Sequence, residues 1–318
     1  MSLIPKLTAA LIEQNCLPNT VTTYCHWARK FYGHCRKSAS QWTGPDVLAW
    51  LLHLHALRYS NTSRKQALCA VKFVFDHVLK ADLGQLDLPP MPRQRQTLRI
   101  IPSREELGRL FAGMKGTPRL MAAMLYGSGL RVNECCHLRV QDLDFAALTV
   151  SVLHGKGDKT RRTVLPVRLV EPLRRHLALR QALHAEDLAN GRGLVELPGR
   201  LAQKYRNASR EFRWQWLFPS TLVRGQYRWH ATPECVAKAM RVALLASGIT
   251  KRVTPHTLRH AFVTHGLQAG NDFATMQELV GHEDANTTLI YAHGDVARGF
   301  SPLDVPPRPQ PASLEFAP

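Results

Sequence analysis

The chain has 318 residues, 45% of them hydrophobic, and sets 42 Lys and Arg against 24 Asp and Glu, a formal +18 at pH 7. That length suits about two domains of roughly 100–200 residues, and the apolar content excludes a chain disordered by composition. No apolar run reaches the ~18 residues of a membrane span, and residues 1–17 are broken by Glu13 and Gln14 without a small-residue cleavage site, so a cytosolic chain with no membrane partner is expected.

An excess of positive charge on this scale repels itself unless a polyanion neutralises it, which makes nucleic acid the leading partner. Residues 1–92 carry ten Lys/Arg and five Asp/Glu, and the remainder carries 32 and 19, so both halves are basic. Residues 1–88 predict a helical bundle. Apolar residues recur at helical spacing in Val21, Tyr24, Cys25, Trp27, Ala28 and Phe31, then from Val47 to Leu54, then from Ala67 to Leu79. Asn19-Thr20, Thr43-Gly44-Pro45-Asp46 and Asn61-Thr62 look like helix starts. Arg29, Lys30, Arg36, Lys37, Arg64, Lys65 and Lys72 are expected on polar faces that suit phosphate contact, although each face could equally be only solvated.

Three prolines within residues 89–92 exclude helix there, and Arg93, Arg95 and Arg99 point to an extended basic linker over 89–102 that could strap a duplex. Ser103 with Glu106 forms a capping-box pattern that opens a second domain, 103–305. Between 138 and 166 the apolar period shifts toward two, in 148–153 and 161–166, around the Gly-rich turn 154–159. Helix returns after Pro166, and the Pro-rich residues 306–318 read as a loose tail. The seven cysteines, at 16, 25, 35, 69, 135, 136 and 235, include no CxxC pair. Reduced, mostly buried thiols are expected, and the scattered histidines suggest no metal site.

Four segments bear chemistry: Gly127-Ser-Gly-Leu-Arg-Val-Asn-Glu134; His154-Gly-Lys-Gly157; Thr254-Pro-His-Thr-Leu-Arg-His260; and Leu279-Val-Gly-His282 followed by Thr287-Thr-Leu-Ile-Tyr291. Each alone has an ordinary explanation. Arg131 and Glu134 could be a plain i,i+3 pair, and Gly155-Lys156-Gly157 a surface turn. Thr254 could cap a helix with Pro255 at its first position, Gly281 could close one, and Tyr291 could be core.

In this order and spacing the four segments resemble the tyrosine recombinase (phage integrase) family across nearly the whole chain. The resemblance implies a mainly α, two-domain fold: an N-terminal helical core-binding bundle and a C-terminal α+β catalytic domain with a small antiparallel sheet. It implies Tyr291 as the nucleophile, with Arg131, Lys156, His256, Arg259 and His282 assisting. Phosphodiester transfer builds charge on the non-bridging oxygens, and guanidiniums are planar, always-charged donors for it. Forming a phenolate near neutral pH costs roughly 4 kcal/mol, which His256 as proton acceptor would lower. Lys156 is the natural acid for the leaving 5′ oxygen. A 3′-phosphotyrosine retains the bond energy, so neither nucleotide nor metal cofactor is expected, in keeping with the lack of a GxxxxGK[ST] loop or an acidic metal cluster.

Roughly twenty extra residues, about 190–216, precede Leu217-Phe-Pro-Ser220. This insertion resembles that of integron integrases, as do Glu134-Cys135 and Leu138-Arg-Val-Gln-Asp-Leu-Asp144. The likeness implies two DNA partners, a duplex primary site and a cassette site folded from one strand with extrahelical bases. It also implies a homotetramer in synapsis that is monomeric when free, in the bacterial cytoplasm at the nucleoid. Trp214 and Trp216 are too closely spaced for one helix face to bury both, so at least one is expected to stack on a base. By resemblance that is Trp214, with Arg213, Arg228, Trp229 and His230 adding charge and aromatic area. With Lys65, Arg93 and Arg95 these form the expected DNA-contacting set. Only nine residues, Ala292 to Phe300, separate Tyr291 from Ser301-Pro-Leu-Asp304, fewer than the integron branch usually has. The rival readings are a duplex-only phage- or chromosome-dimer-type recombinase, a type IB topoisomerase with similar chemistry, and a DNA-binding protein without catalysis.

Overall fold

The computed structural model describes residues 3–84, 101–153, 160–197, 201–205, 207–281 and 303. The chain divides into two compact units, Met1–Leu98 and Arg99–Pro318.

The first unit is all helix: α1 (Leu3–Glu13), α2 (Pro18–Cys35), α3 (Gly44–Ala56) and α4 (Asn61–Phe73), which runs on into a π-helical turn over Val74–Leu79. The expected starts hold at α3, where Asp46 accepts the Thr43 N–H at 3.0 Å, and one residue early at α4, where Ser60 accepts from Ser63 at 3.1 Å. At α2 the start is Pro18, with Leu17 as an uncapped flank, and Asn19-Thr20 lie inside the first turn. Proline's fixed φ suits the first helical position, which outweighs the weaker cap signal. The core is aromatic: the Phe31 ring packs at a tilt against Trp42 and Trp50, with centroids 4.6 and 4.9 Å apart, and Leu7, Leu11, Ala67 and Val71 belong to the same cluster. Arg29, Lys30, Arg36, Lys37, Lys65 and Lys72 are exposed as expected, but Arg64 is buried and bonds Asn61. Arg64 shares the inward stripe of α4 with Ala67 and Val71, three and seven residues on.

The second unit begins with α5 (Arg104–Gly113), capped by the Ser103–Glu106 box, then α6 (Gly116–Ser128) and the short α7 (Val132–Cys136). Next comes an antiparallel sheet of β1 (Leu143–Asp144), β2 (Thr149–Val152) and β3 (Arg161–Val164), in register Val152↔Arg161 and Thr149↔Val164. The period-two reading was correct: Val150 and Val152 point inward. Helix α8 (Val167–Ala189) follows, then α9 (Leu201–Lys204), the two-stranded sheet β4 (Pro219–Arg224) and β5 (Tyr227–His230), and α10 (Pro233–Ser247), α11 (Pro255–Gln268) and α12 (Phe273–Val280). Helices α5, α6, α10 and α11 pack around one core with Leu110, Met121, Leu125, Met240 and Leu258.

All seven cysteines are free thiols, but only Cys25, Cys135 and Cys136 are buried, and Cys69 and Cys235 are exposed. Cys69 lies on the outer stripe of α4 with Lys65 and Lys72, which corrects the expectation of mostly buried thiols. Among the described residues no helix is long and apolar enough to cross a membrane.

Candidate active site

Helix α6 ends at Gly129, whose φ of +62° is a left-handed cap where an added Cβ would stand 2.5 Å from Phe262. The chain therefore turns sharply and delivers Arg131 to the entrance of α7. Glu134, at the third position of α7, accepts the Arg131 backbone N–H at 2.7 Å and the Arg131 guanidinium at 2.7 Å. This is the i,i+3 pair legible in the sequence, here combined with a helix cap.

Helix α11 supplies the other half. Thr254 accepts from Thr257 at 3.2 Å, with Pro255 at the first position, as the sequence indicated. His256 is exposed on the first turn, its ring 4.2 Å from that of His260. Arg259, one turn on, is buried and donates to Gly129 O at 2.6 Å and to Val280 O. Arg131 and Arg259, 128 residues apart, thus meet, and the Arg259 guanidinium lies 3.7 Å from Glu134. Burial, and next the charge of Arg131, push Arg259 below the ordinary arginine range to about 9, while Glu134 opposes the shift.

A third arginine, unremarked in the sequence, completes the cluster. Arg161 on β3 holds Glu134 with a two-pronged pair at 2.8 and 2.7 Å and donates Nε to Leu279 O at 3.1 Å. Burial works against ionised Glu134, but Arg161's hydrogen bonds and charge, followed by Arg131, hold the carboxyl at about 2. Three guanidiniums against one carboxylate leave a local excess of two positive charges. Two of the three, Arg131 and Arg259, border a cleft of about 550 Å³ that Glu134, His256, Arg139 and Trp216 also line. A concave site with surplus fixed cations beside the N-terminus of a helix is chemically suited to hold and polarise a phosphate.

The family models decide what kind of site this is: the phage integrase family matches residues 103–298, and its N-terminal SAM-like domain matches 3–85. The chain belongs to the phage integrase family of tyrosine recombinases. Like the family, the recombinase cleaves and rejoins DNA. It is 37% identical over 302 residues to an integrase/recombinase of Escherichia coli, covering 91% of this chain and 89% of the relative. It is 30% identical to the tyrosine recombinase XerD of Agrobacterium fabrum, over 88% of this chain and 86% of that one. Its fold is similar to the Tn1549 transposon integrase in complex with transposon right-end DNA, with TM-score 0.60, 17% identity and coverage of 93% and 96%. It is also similar to XerH bound to its difH substrate, with TM-score 0.58, 20% identity and coverage of 89% and 78%.

Of the expected catalytic residues of the recombinase, Arg131, His256 and Arg259 come together in the cleft. Lys156, His282 and Tyr291 lie outside the described residues, as do Arg93, Arg95, most of the basic linker, the short segment 292–300 and the whole tail 306–318. Lys65 is exposed on α4, and Arg213 is exposed and paired with Glu211 at 2.6 Å. His230 is half-buried, 4.0 Å from the His137 ring.

Trp216 is core: its indole donates to Arg228 O at 3.2 Å and it packs with Val195, Leu197 and Ala208. Trp214 is half-buried on the edge of that cluster, and its indole N–H is buried with no partner among the described residues. No single helix face is needed to pack both rings, because the Arg139 guanidinium sits over both, 4.0 Å from Trp216 and 5.8 Å from Trp214. Arg139 also donates to Trp214 O at 2.6 Å and to Glu196 O at 2.7 Å. Arg228, expected to add surface charge, is instead buried against Asp187 with two bonds of 2.5 Å. The cue for that reversal is Asp187, a carboxylate within the long helix α8.

Proposed function

We propose that the recombinase cuts DNA by attack of Tyr291 on a scissile phosphate held between Arg131 and Arg259. The observation that carries this reading is the convergence of those two guanidiniums, with His256, on one cleft with surplus positive charge. A bond forms between the Tyr291 phenol oxygen and phosphorus, and the bond from phosphorus to the 5′ oxygen breaks. His256 takes the phenol proton, Lys156 protonates the leaving oxygen, and His282 donates to the phosphoryl group. The 5′ hydroxyl of a partner strand then reverses the reaction. Because the phosphotyrosine keeps the bond energy, the cycle draws on no nucleotide, and the paired guanidiniums supply the charge a metal would otherwise bring.

The substrate pair we infer is that of an integron integrase: a duplex primary site and a folded single-stranded cassette site, exchanged by a homotetramer that is monomeric when free, in the cytoplasm at the nucleoid. The insertion supports this: it carries Arg213 and Trp214, and Trp214 packs in one cluster with Trp216, which lines the cleft and lies 5.2 Å from the His230 ring of β5. The XerD relative favours a second reading, action on duplex sites alone. Recombination of a duplex primary site with each cassette strand, folded separately, separates the two. We expect one folded strand to recombine well and its complement poorly, with the Tyr291→Phe variant giving no covalent adduct on either. Recombination between two duplexes only would support the second reading. An undiminished adduct from the phenylalanine variant would remove Tyr291 as nucleophile.

A further inference from the structure

The end of α12 is closed in an unusual way. Its last carbonyls are each taken by an arginine from a different element: Leu279 O by Arg161 of β3, Val280 O by Arg259 of α11, and Gly281 O by Arg131 before α7. A helix C-terminus leaves such carbonyls unpaired and carries partial negative charge, so cations are at home there. All three arginines also face Glu134.

Arg161 differs from the other two. Arg131 and Arg259 line the cleft, whereas Arg161 does not. Its Nε and both terminal nitrogens are engaged inside the protein, and its side chain is only 11% exposed. It therefore has no edge to offer a phosphate. Gly281 is shaped around it: an added Cβ there would lie 2.8 Å from Arg161 Cδ, at a φ of +60°.

We propose that Arg161 is a positioning residue for strand cleavage: by occupying both oxygens of Glu134 it limits that carboxylate's hold on Arg131 and keeps Arg259 available to the scissile phosphate. The proposal rests on the reading of those two residues as phosphate ligands. The Glu134 side chain is only 8% exposed, and a desolvated carboxylate that loses its two-pronged partner seeks another. The nearest cations are then Arg131, already at 2.7 Å, and Arg259, at 3.7 Å. A shift of less than about 1 Å would bring Arg259 into full hydrogen-bond contact and turn its fork away from the cleft. Arg161 also begins β3, five residues after Lys156 in the sequence, and reaches the carbonyl of Leu279, three residues before His282. One side chain thus joins the segments bearing the expected acid, the arginine pair and the second histidine.

The test uses the full chain and a nicked suicide duplex, reading single-turnover cleavage, affinity for the same DNA, and thermal unfolding. Arg161→Met should slow cleavage about 10- to 100-fold, the range seen when partners that orient ligating groups are removed, with affinity nearly unchanged. Adding Glu134→Gln should restore much of the lost rate, because a neutral amide no longer draws the arginines inward. A purely structural role would not produce that recovery. Arg161→Lys keeps the charge but lacks the fork, so it should cleave slowly while melting near the wild-type temperature, which covers the case in which the methionine variant folds poorly. Wild-type cleavage by Arg161→Met, or a slow double variant that melts no lower than the single one, would overturn the proposal. Arg131→Ala in the same assay separates the two levels. If it cleaves normally, the phosphate reading and this proposal both fall; if it is slow while Arg161→Met is fast, only Arg161 loses its role.

Discussion

Arg259 is 2% exposed and spends two of its nitrogens on carbonyls, yet it borders the cleft, so its remaining N–H groups have one open direction. A donor fixed in that way needs no reorganisation when charge develops on a phosphate. Arg131→Ala or Arg259→Ala should each lower the cleavage rate by at least ~10²-fold, because one donor to a developing oxyanion contributes about 2.7–4 kcal/mol. Lysine should rescue poorly; near-normal single-turnover rates for both lysine variants would reduce the pair to a point-charge role. Glu134 gives a second test, with a defined sign. Its folded pKa, about 2, lies below the ~4.3 of a free glutamate, so its ionisation stabilises the fold above about pH 4.3. That contribution, on the order of 2–3 kcal/mol, is lost as pH falls toward about 2. Denaturant unfolding of Glu134→Gln should show a deficit at pH 7 that narrows by pH 3, and a deficit independent of pH would assign the effect to packing. At this scale motif spacing singled out Arg131, His256 and Arg259, which the fold brings to one cleft. It did not disclose Arg161, since one arginine at the head of a strand looks like any solvated strand end until Glu134 is seen opposite it.

Elements were more legible where a cap or a period spoke. Thr43, Ser103 and Thr254 open helices through side-chain oxygens, and the alternation around 148–166 became the β2–β3 pair. The insertion was legible as an insertion but not in its packing, because three distant charged residues organise it. Arg139 from the segment after α7 ties Trp214 and Glu196, while Asp187 of α8 fixes Arg228 of β5. Spacing arguments confined to the insertion could not find partners that lie outside it. Trp214 is left half-buried, with Arg139 on one side and Arg213 at 6.0 Å. An indole in that position can stack on an extrahelical base, worth roughly 1–3 kcal/mol. Trp214→Ala should therefore bind a folded cassette hairpin about five- to a hundred-fold more weakly while leaving a perfect duplex nearly untouched, because paired bases already stack on each other. Parallel titrations of both DNAs alongside thermal unfolding give the answer. Equal losses with a lowered melting temperature would make Trp214 a packing residue and leave Trp229 as the remaining stacking candidate.

For the molecule as a whole, the net +18 is a statement about partners and not about fold. The part of that excess in the first unit is carried largely by exposed helix faces, since of the side chains expected there only Arg64 turned inward. Lys65 and Lys72 are seven residues apart on α4, two turns along one stripe, and both are exposed. Two ammonium groups spaced in this way can follow a phosphate backbone without reading its bases. Each phosphate neutralised releases counterions, so log K falls with log salt by about 0.9 per contact on duplex DNA. The double variant Lys65→Ala, Lys72→Ala should reduce that slope by about 2, weakening specific and non-specific duplexes alike. The unfolding temperature should hold, because neither side chain is in the core. Cleavage in saturated complexes should hold as well, because the arginine cluster belongs to the other unit. The measurement is affinity across a salt series for a recombination site and a scrambled duplex. An unchanged slope on both would place the α4 stripe off the DNA and leave the contacts of this unit to Arg29, Lys30, Arg36 and Lys37. A loss confined to the specific site would mean instead that α4 reads sequence, which two lysines alone do not explain.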